Sequence, residues 1–141
     1  MTSTAPSVRL SPYWRARAST RDGNRAFRLL YGAFVLVPIV AGFDKFADKL
    51  ANWSGYLAPV VTATIPLRPD VLMRIVGVFE IAAGMLVAVR PRAGGYVVAG
   101  WLAATIVNLF ALGHYWDVAL RNFGLLLGAL SLASLSPRRP T

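Results

Sequence analysis

A long apolar segment with one acidic residue at its centre constrains this chain more than any other feature of its sequence. Residues 70–90 read DVLMRIVGVFEIAAGMLVAVR, with Glu80 in the middle. Wound as an α-helix at ~1.5 Å per residue, the segment is ~30 Å long, about the thickness of the hydrocarbon core of a bilayer. The segment is therefore predicted to cross a membrane.

The helical period decides what surrounds Glu80. It places one stripe of residues on a single face of the predicted helix: Met73, Gly77, Glu80, Gly84 and Val87. A carboxylate in the middle of a bilayer costs about 2.5–3.5 kcal/mol on insertion scales. We therefore expect Glu80 to face another helix or a wet cavity rather than lipid.

Composition supports a membrane protein. Of 141 residues, 56% are hydrophobic and only 15% charged, and the mean hydropathy is +0.54, too apolar for an ordinary soluble domain of this size. The net charge of +9 comes from basic residues at the ends of apolar runs, which indicates topology control rather than nucleic acid binding. The chain has no cysteine, which excludes thiolate catalysis, thiolate metal centres and disulfides.

The apolar runs predict an all-α integral membrane four-helix bundle. The expected membrane domain is residues 28–136, between a basic tail at 1–27 and a short basic tail at 137–141. Its four spans are predicted at about 26–46, 70–90, 93–113 and 117–135. A cleaved signal peptide over residues 1–43 is the alternative interpretation of the N-terminal part.

Between the first two spans, residues 52–64 are too few to cross a bilayer. Trp53 and Tyr56 are typical of a membrane interface, and Pro66 and Pro69 mark the end of the segment. We expect a short surface-lying or re-entrant helix here, acting as a lid over one end of the bundle.

Basic residues beside the spans predict the orientation. The N-terminal tail, the turn at 90–92 and the C-terminal tail are all arginine-rich and lie on the same side of the membrane. Both termini are therefore expected in the cytoplasm. The protein itself is expected in the cell membrane, most simply the inner membrane of a bacterium. The opposite side is nearly neutral, because Lys45, Lys49 and Arg68 are balanced by acids.

Small residues predict how the helices pack. The expected stripes are Val97, Gly100, Ala104, Asn108 and Ala111 in the third span, and Asp117, Arg121, Gly124, Gly128 and Ser131 in the fourth. The predicted packing glycines are Gly77, Gly84, Gly100, Gly124 and Gly128.

Polar residues in these stripes predict a pocket open to the outer side. Its floor is Glu80, and Arg121 on its wall is the predicted partner of Glu80, extended into a network by Asp117 next to Arg121 and by Asp70 next to Arg74. The candidate pocket residues are Glu80, Arg121, Asn108, Asp117, Arg74, Lys45 and Asp44. A charge pair at a helix end, such as Asp44 and Lys45, is usually interfacial, and this interpretation is favoured, with Lys45 able to extend towards the surface. The cytoplasmic half, lined by Val87, Ala88, Val97 and Leu132, is expected to be dry.

No metal or haem site is predicted. With His114 as the only histidine and no cysteine, the chain cannot supply two axial imidazoles or a His-rich metal site by itself. His114 is expected to be an interfacial aromatic. The sequence gives little support for a carboxylate site that binds a divalent ion, because each acidic residue that could contribute a ligand has a basic neighbour to pair with.

Three motifs resemble the DoxX-like family of small four-helix membrane proteins. They are GFDKF at 42–46, GVFEIAAGMLV at 77–87 and LRNFGLLLGAL at 120–130. Gly42 and Lys45 match the glycine and lysine with which the family's first helix ends. Glu80 and Gly84 match the glutamate followed by a glycine in the family's second helix. The resemblance implies the four-helix fold and a quinone-linked redox role with quinone as the cofactor. Because the chain has no cofactor ligands of its own, electron transfer would require a partner subunit or the quinone itself.

Three functions follow as alternatives. The first is a membrane subunit or accessory protein of a redox-linked complex that binds quinone or lipid in the pocket and is not an enzyme by itself. The second is a purely structural subunit that docks to other membrane or peripheral subunits, or to copies of itself. The third is a transporter of a small solute or of protons, for which no duplicated half is evident in the sequence.

Overall fold

The computed structural model describes residues 20–136, and side chains from Gly23 onward. Five α-helices and one short 3-10 helix follow one another in that range. The helices are α1 (Thr20–Ala47), a 3-10 helix (Trp53–Tyr56), α2 (Pro59–Thr64), α3 (Pro69–Val89), α4 (Pro91–Leu112) and α5 (Trp116–Leu135). The described residues contain no β-strand.

Four of these helices are long and apolar enough to cross a membrane. They are α3, α4, α5 and the part Gly23–Ala47 of α1. The prediction of an all-α, multi-pass membrane architecture with four candidate spans is therefore confirmed.

Helix boundaries follow local signals in the sequence. Pro69 and Pro91 each occupy the first position of a helix, where proline's missing N–H costs nothing and its fixed φ favours the first turn. Gly113 ends α4 with a φ of 77°, a left-handed conformation that glycine adopts without strain.

The first helix differs most from its predicted bounds. It begins at Thr20 rather than near residue 26 and continues through Pro38, so the last part of the predicted tail 1–27 is helical. The rest of that tail and the predicted tail 137–141 lie outside the described residues.

The four long helices form a ring in which each packs mainly against two neighbours. Helix α1 packs against α3 and α5, and α4 packs against α3 and α5. Helices α3 and α5 therefore lie across the bundle from each other. This arrangement decides which polar groups can meet Glu80.

Two glycine contacts bring α1 and α3 together. A Cβ built on Gly42 would lie 2.6 Å from the carbonyl oxygen of Gly77, and a Cβ on Gly77 would lie equally close to the carbonyl of Gly42. Further along, a Cβ on Gly84 would lie 2.9 Å from the carbonyl oxygen of Val35. Only glycine permits backbones this close, so the two helices are in direct main-chain contact at both points.

The half of the bundle near the α3–α4 turn is a packed apolar core. Its buried members are Phe34, Ala83, Val87, Val98, Ala99, Ala129 and Leu132. Val87 and Leu132 are completely buried, as expected for the dry half, whereas Ala88 and Val97 are exposed on the outside of the bundle. No part of this core contains a charged side chain.

The predicted contact stripe is correct for α3 and wrong for α4 and α5. Gly100 and Gly124 meet no atom within 4 Å of a built Cβ, whereas Gly128 lies against the ring of Phe34. The buried faces of these helices are instead Gly94, Gly95, Val98, Ala99 and Leu109 in α4, and Ala119, Ala129, Leu132 and Ala133 in α5.

Candidate functional site

The end of α1 buries two consecutive charged residues. Asp44 is 7% and Lys45 is 5% exposed, although both lie within a turn of the helix end at Ala47. Because Gly42 draws α1 against α3, the stem of Lys45 packs on Gly77. The lysine therefore reaches inward between the helices, and the predicted orientation towards the surface is wrong.

Lys45 forms an ion pair with Glu80. Its Nζ donates a hydrogen bond of 2.6 Å to Oε2 of Glu80, and the two side chains are only 4% and 15% exposed. The other carboxylate oxygen, Oε1, accepts a longer hydrogen bond of 3.3 Å from Nε1 of Trp101 on α4. Glu80 is thus held from both neighbouring helices, and its charge is compensated where an unpaired carboxylate would be costly.

Trp53 connects Lys45 to Asp44. The ammonium of Lys45 lies 3.7 Å from the centroid of the Trp53 ring, a cation–π geometry. The Nε1 of the same indole donates a hydrogen bond of 2.7 Å to Oδ2 of Asp44. Asp44 also accepts hydrogen bonds from the backbone N–H groups of Lys49 and Leu50. Its carboxylate therefore ties the chain that follows α1 back onto the helix end.

Asn108 fixes the far part of the same connection to α4. Its Oδ1 accepts from the backbone N–H of Ala58 at 3.0 Å, and its Nδ2 donates to the carbonyl oxygen of Tyr56 at 2.6 Å. The Tyr56 ring packs against Tyr115, with centroids 4.7 Å apart. The segment between α1 and α2 is therefore held at both ends by polar side chains of spanning helices.

Together these contacts form one continuous polar network. We call it the Lys45–Glu80 network, and its members are Asp44, Lys45, Trp53, Glu80 and Trp101. It combines an ammonium, two carboxylates and two indole N–H donors, and Phe79 packs against Trp101 with centroids 4.7 Å apart. Such a set can donate hydrogen bonds to carbonyl oxygens, accept a proton and offer aromatic faces to a flat ring.

The predicted pairing of Glu80 with Arg121 is wrong. Nη2 of Arg121 donates to Oδ2 of Asp117 at 3.0 Å, and the two side chains are 73% and 63% exposed on the outside of α5. The physical reason is the helix order, since α5 lies across the bundle from α3. In addition, the face of α5 that carries Arg121 points away from the bundle, which separates Arg121 further from Glu80.

Arg74 also lies outside the network. Its side chain is exposed, and the expected contact of Asp70 with Arg74 is replaced by one with Arg68, whose Nε lies 3.1 Å from Oδ1 of Asp70. The structure thus gathers Glu80, Lys45 and Asp44 from the predicted set, with Asn108 nearby holding the segment between α1 and α2. It leaves Arg74, Asp117 and Arg121 at the surface.

Sequence reasoning missed the two tryptophans. Trp101 had a detectable signal, because Glu80 and Trp101 are equally far from the tight turn at Arg90 and Pro91. Antiparallel helices joined by such a short turn place those positions at the same height. Trp53 had no comparable signal, because its position depends on how the irregular chain after α1 folds back.

Among the described residues, no group of three His, Asp or Glu side chains is close enough together to hold a metal ion. His114 is exposed beside Tyr115. Comparison with family models, curated proteins and solved structures finds none that matches this chain.

Proposed function

We propose that this chain is a small four-span membrane subunit of a redox-linked complex, and that it binds a quinone at the Lys45–Glu80 network. The observation that carries the proposal is the buried 2.6 Å pair between Lys45 and Glu80, with indole donors on both sides, inside a set of candidate membrane spans. The resemblance of GFDKF and GVFEIAAGMLV to the DoxX-like family favours the same role.

The donors of the network suit the carbonyl oxygens of a quinone. A lysine ammonium has three N–H donors, and Lys45 gives one to Glu80 and directs its charge at Trp53. Another N–H can therefore be donated to a carbonyl oxygen. The rings of Trp53 and Trp101 supply aromatic surface for a planar ligand.

Glu80 suits the reduced form of the same ligand. Its Oε1 holds only the 3.3 Å bond from Trp101, whereas Oε2 is engaged by Lys45 at 2.6 Å. Oε1 is therefore the freer oxygen, and it can accept the proton of a quinol hydroxyl. A bound quinone supplies two-electron redox chemistry. The chain, with no cysteine and one histidine, relies on a partner subunit for those electrons.

The proposal includes an orientation. With the arginine-rich N-terminus, the turn at 90–92 and the C-terminus in the cytoplasm, the network opens towards the outer side beneath residues 48–58 as a lid. This is the arrangement expected in a bacterial inner membrane, with other redox subunits or further copies of the chain as partners.

Quinone binding is tested with purified protein in lipid nanodiscs made without quinone. We expect short-chain ubiquinone or menaquinone analogues to raise the melting temperature and to quench tryptophan fluorescence with saturation. Glu80→Gln should weaken binding of the corresponding quinols at least tenfold, because the carboxylate that accepts the quinol's hydroxyl proton is lost. Asp70→Asn, which removes a carboxylate from the exposed start of the same helix, should bind like the wild type. Equal affinity of wild type and Glu80→Gln for the quinols would refute the proposal.

A structural docking role is the second candidate, and one observation favours it. Among the described residues, every buried side-chain nitrogen and oxygen has a hydrogen-bond partner within the chain. A network whose polar atoms are all paired within the chain needs no ligand, so holding the helices together is a sufficient role for it. Purification from native membranes distinguishes the two roles. A stoichiometric complex whose composition is unchanged by Glu80→Gln, without any response to quinone, would favour docking.

A further inference from the structure

A tyrosine contact fixes the height of α1 against α3 at the end of the bundle opposite the lid segment. Tyr31 Oη donates a hydrogen bond of 2.9 Å to the carbonyl oxygen of Ala88, and the ring of Phe27 stacks on Tyr31 at 5.8 Å. Arg28 lies one turn before Tyr31 on the same face of α1, and Arg90 lies two residues after Ala88. At ~1.5 Å of rise per residue, both arginines are therefore a few ångströms beyond the contact and at nearly the same height.

Four arginines lie at this end of the bundle. Arg25 and Arg28 belong to α1, Arg90 ends α3, and Arg92 lies in the first turn of α4. All are exposed except Arg92, which is half-buried. The carboxylates with described side chains lie in the middle of α3 or towards the other end: Asp44, Asp48, Asp70, Glu80 and Asp117. Near this end the sequence has one acid, Asp22 in the first turn of α1, so positive charge predominates there.

The position of the patch selects its ligand. The arginine patch lies where α1 and α4 begin and α3 and α5 end. Because these four helices are candidate membrane spans, the patch is at the height of the lipid headgroups. Guanidinium groups bind phosphate through paired hydrogen bonds. Exposed Met85 and Val89 in the last two turns of α3 offer apolar surface for acyl chains, and exposed Tyr96 on α4 is typical of the interface. We propose that Arg28 and Arg90 hold the phosphate of an anionic glycerophospholipid here, with Arg25 and Arg92 adding charge. The proposal is independent of the function assigned to the Lys45–Glu80 network.

Native mass spectrometry of the detergent-solubilised protein tests this site. We expect wild type to retain phosphatidylglycerol at least tenfold more tightly than phosphatidylcholine of the same chain length. The double variant Arg28→Gln/Arg90→Gln should bind phosphatidylglycerol about 25-fold more weakly, from a contribution of about fivefold per basic residue near an anionic surface. The matched control Lys49→Gln/Arg68→Gln removes two exposed cations from the other end and should bind like wild type.

Three results would each overturn the proposal. The first is equal retention of phosphatidylcholine and phosphatidylglycerol by wild type. The second is undiminished binding of phosphatidylglycerol by a folded Arg28→Gln/Arg90→Gln variant. The third is displacement of the lipid by equimolar inorganic phosphate, which would identify the ligand as a soluble anion. If the double variant does not fold, Arg28→Lys and Arg90→Lys keep the charge but lose the paired hydrogen bonds, and each should still weaken binding.

Discussion

Removing Lys45 tests the stabilising role of the buried pair most directly. In Lys45→Met a side chain of similar length and shape replaces the cation, so packing against Gly77 is largely kept while the charge is lost. Glu80 then retains only the 3.3 Å hydrogen bond from Trp101. The substitution therefore isolates the electrostatic contribution of one ammonium group.

The exposed fractions of the two side chains determine how much stability the loss of the Lys45 ammonium should cost. Breaking a buried ion pair by removing one partner costs about 3–5 kcal/mol. The side chain of Lys45 is 4% exposed, but that of Glu80 is 15% exposed and can be partly hydrated. We therefore expect the low end, about 3 kcal/mol. Arg121→Met, in a pair whose side chains are 73% and 63% exposed, should cost less than about 1 kcal/mol.

The free energies are measured by circular dichroism during unfolding in mixed micelles with increasing SDS. The double variant Lys45→Met/Glu80→Gln completes the cycle, and it should recover most of the loss because no uncompensated charge remains buried. A loss for Lys45→Met no larger than that for Arg121→Met would refute the reasoning. So would a double variant as unstable as the sum of its single changes.

Three further substitutions, one of them a control, test contacts elsewhere in the bundle. Gly42→Ala should lower the free energy of unfolding by about 1–3 kcal/mol, because the added methyl would lie 2.6 Å from the carbonyl oxygen of Gly77. Gly124→Ala, which meets nothing within 4 Å, should instead raise it by about 0.5–1 kcal/mol through helix propensity; equal effects in SDS unfolding would contradict the close contact. Asn108→Ala should lower it by about 1–3 kcal/mol and speed amide hydrogen exchange around Tyr56. Unchanged exchange there would show that other contacts hold the segment.

The general architecture follows from hydropathy, because a bilayer requires long apolar helices whose backbone bonds are satisfied internally. The contact face of α3 was predictable too, since a single stripe carries both its only central carboxylate and two glycines. In α4 and α5 small residues occupy two faces. Gly100 was expected inside and Gly95 was not, although it is Gly95 that meets the backbone of Ala129. When two faces of a helix both carry small residues, residue size alone does not tell which face packs against the other helices.

The partner of Glu80 was harder to predict for a different reason. Hydropathy locates spans but does not say which helices are neighbours, so Arg121 and Lys45 were both available cations. Arg121 is excluded by the helix order around the ring. Lys45 was expected to extend towards the surface, as lysines near span ends commonly do. The glycine contact between α1 and α3 instead leaves an inward path along which its stem reaches the carboxylate.

The order of Lys45 and Glu80 along the chain matters for biogenesis. The ribosome synthesises α1 before α3, so the ammonium is already in the bilayer when the segment carrying the acid is handed over by the insertion machinery. On its own, a helix with a central carboxylate would pass from the insertion machinery into lipid only with difficulty. Here α3 arrives beside α1, whose Lys45 ammonium is the counter-ion of that carboxylate. Assembly of the two helices as a hairpin is therefore built into the direction of translation.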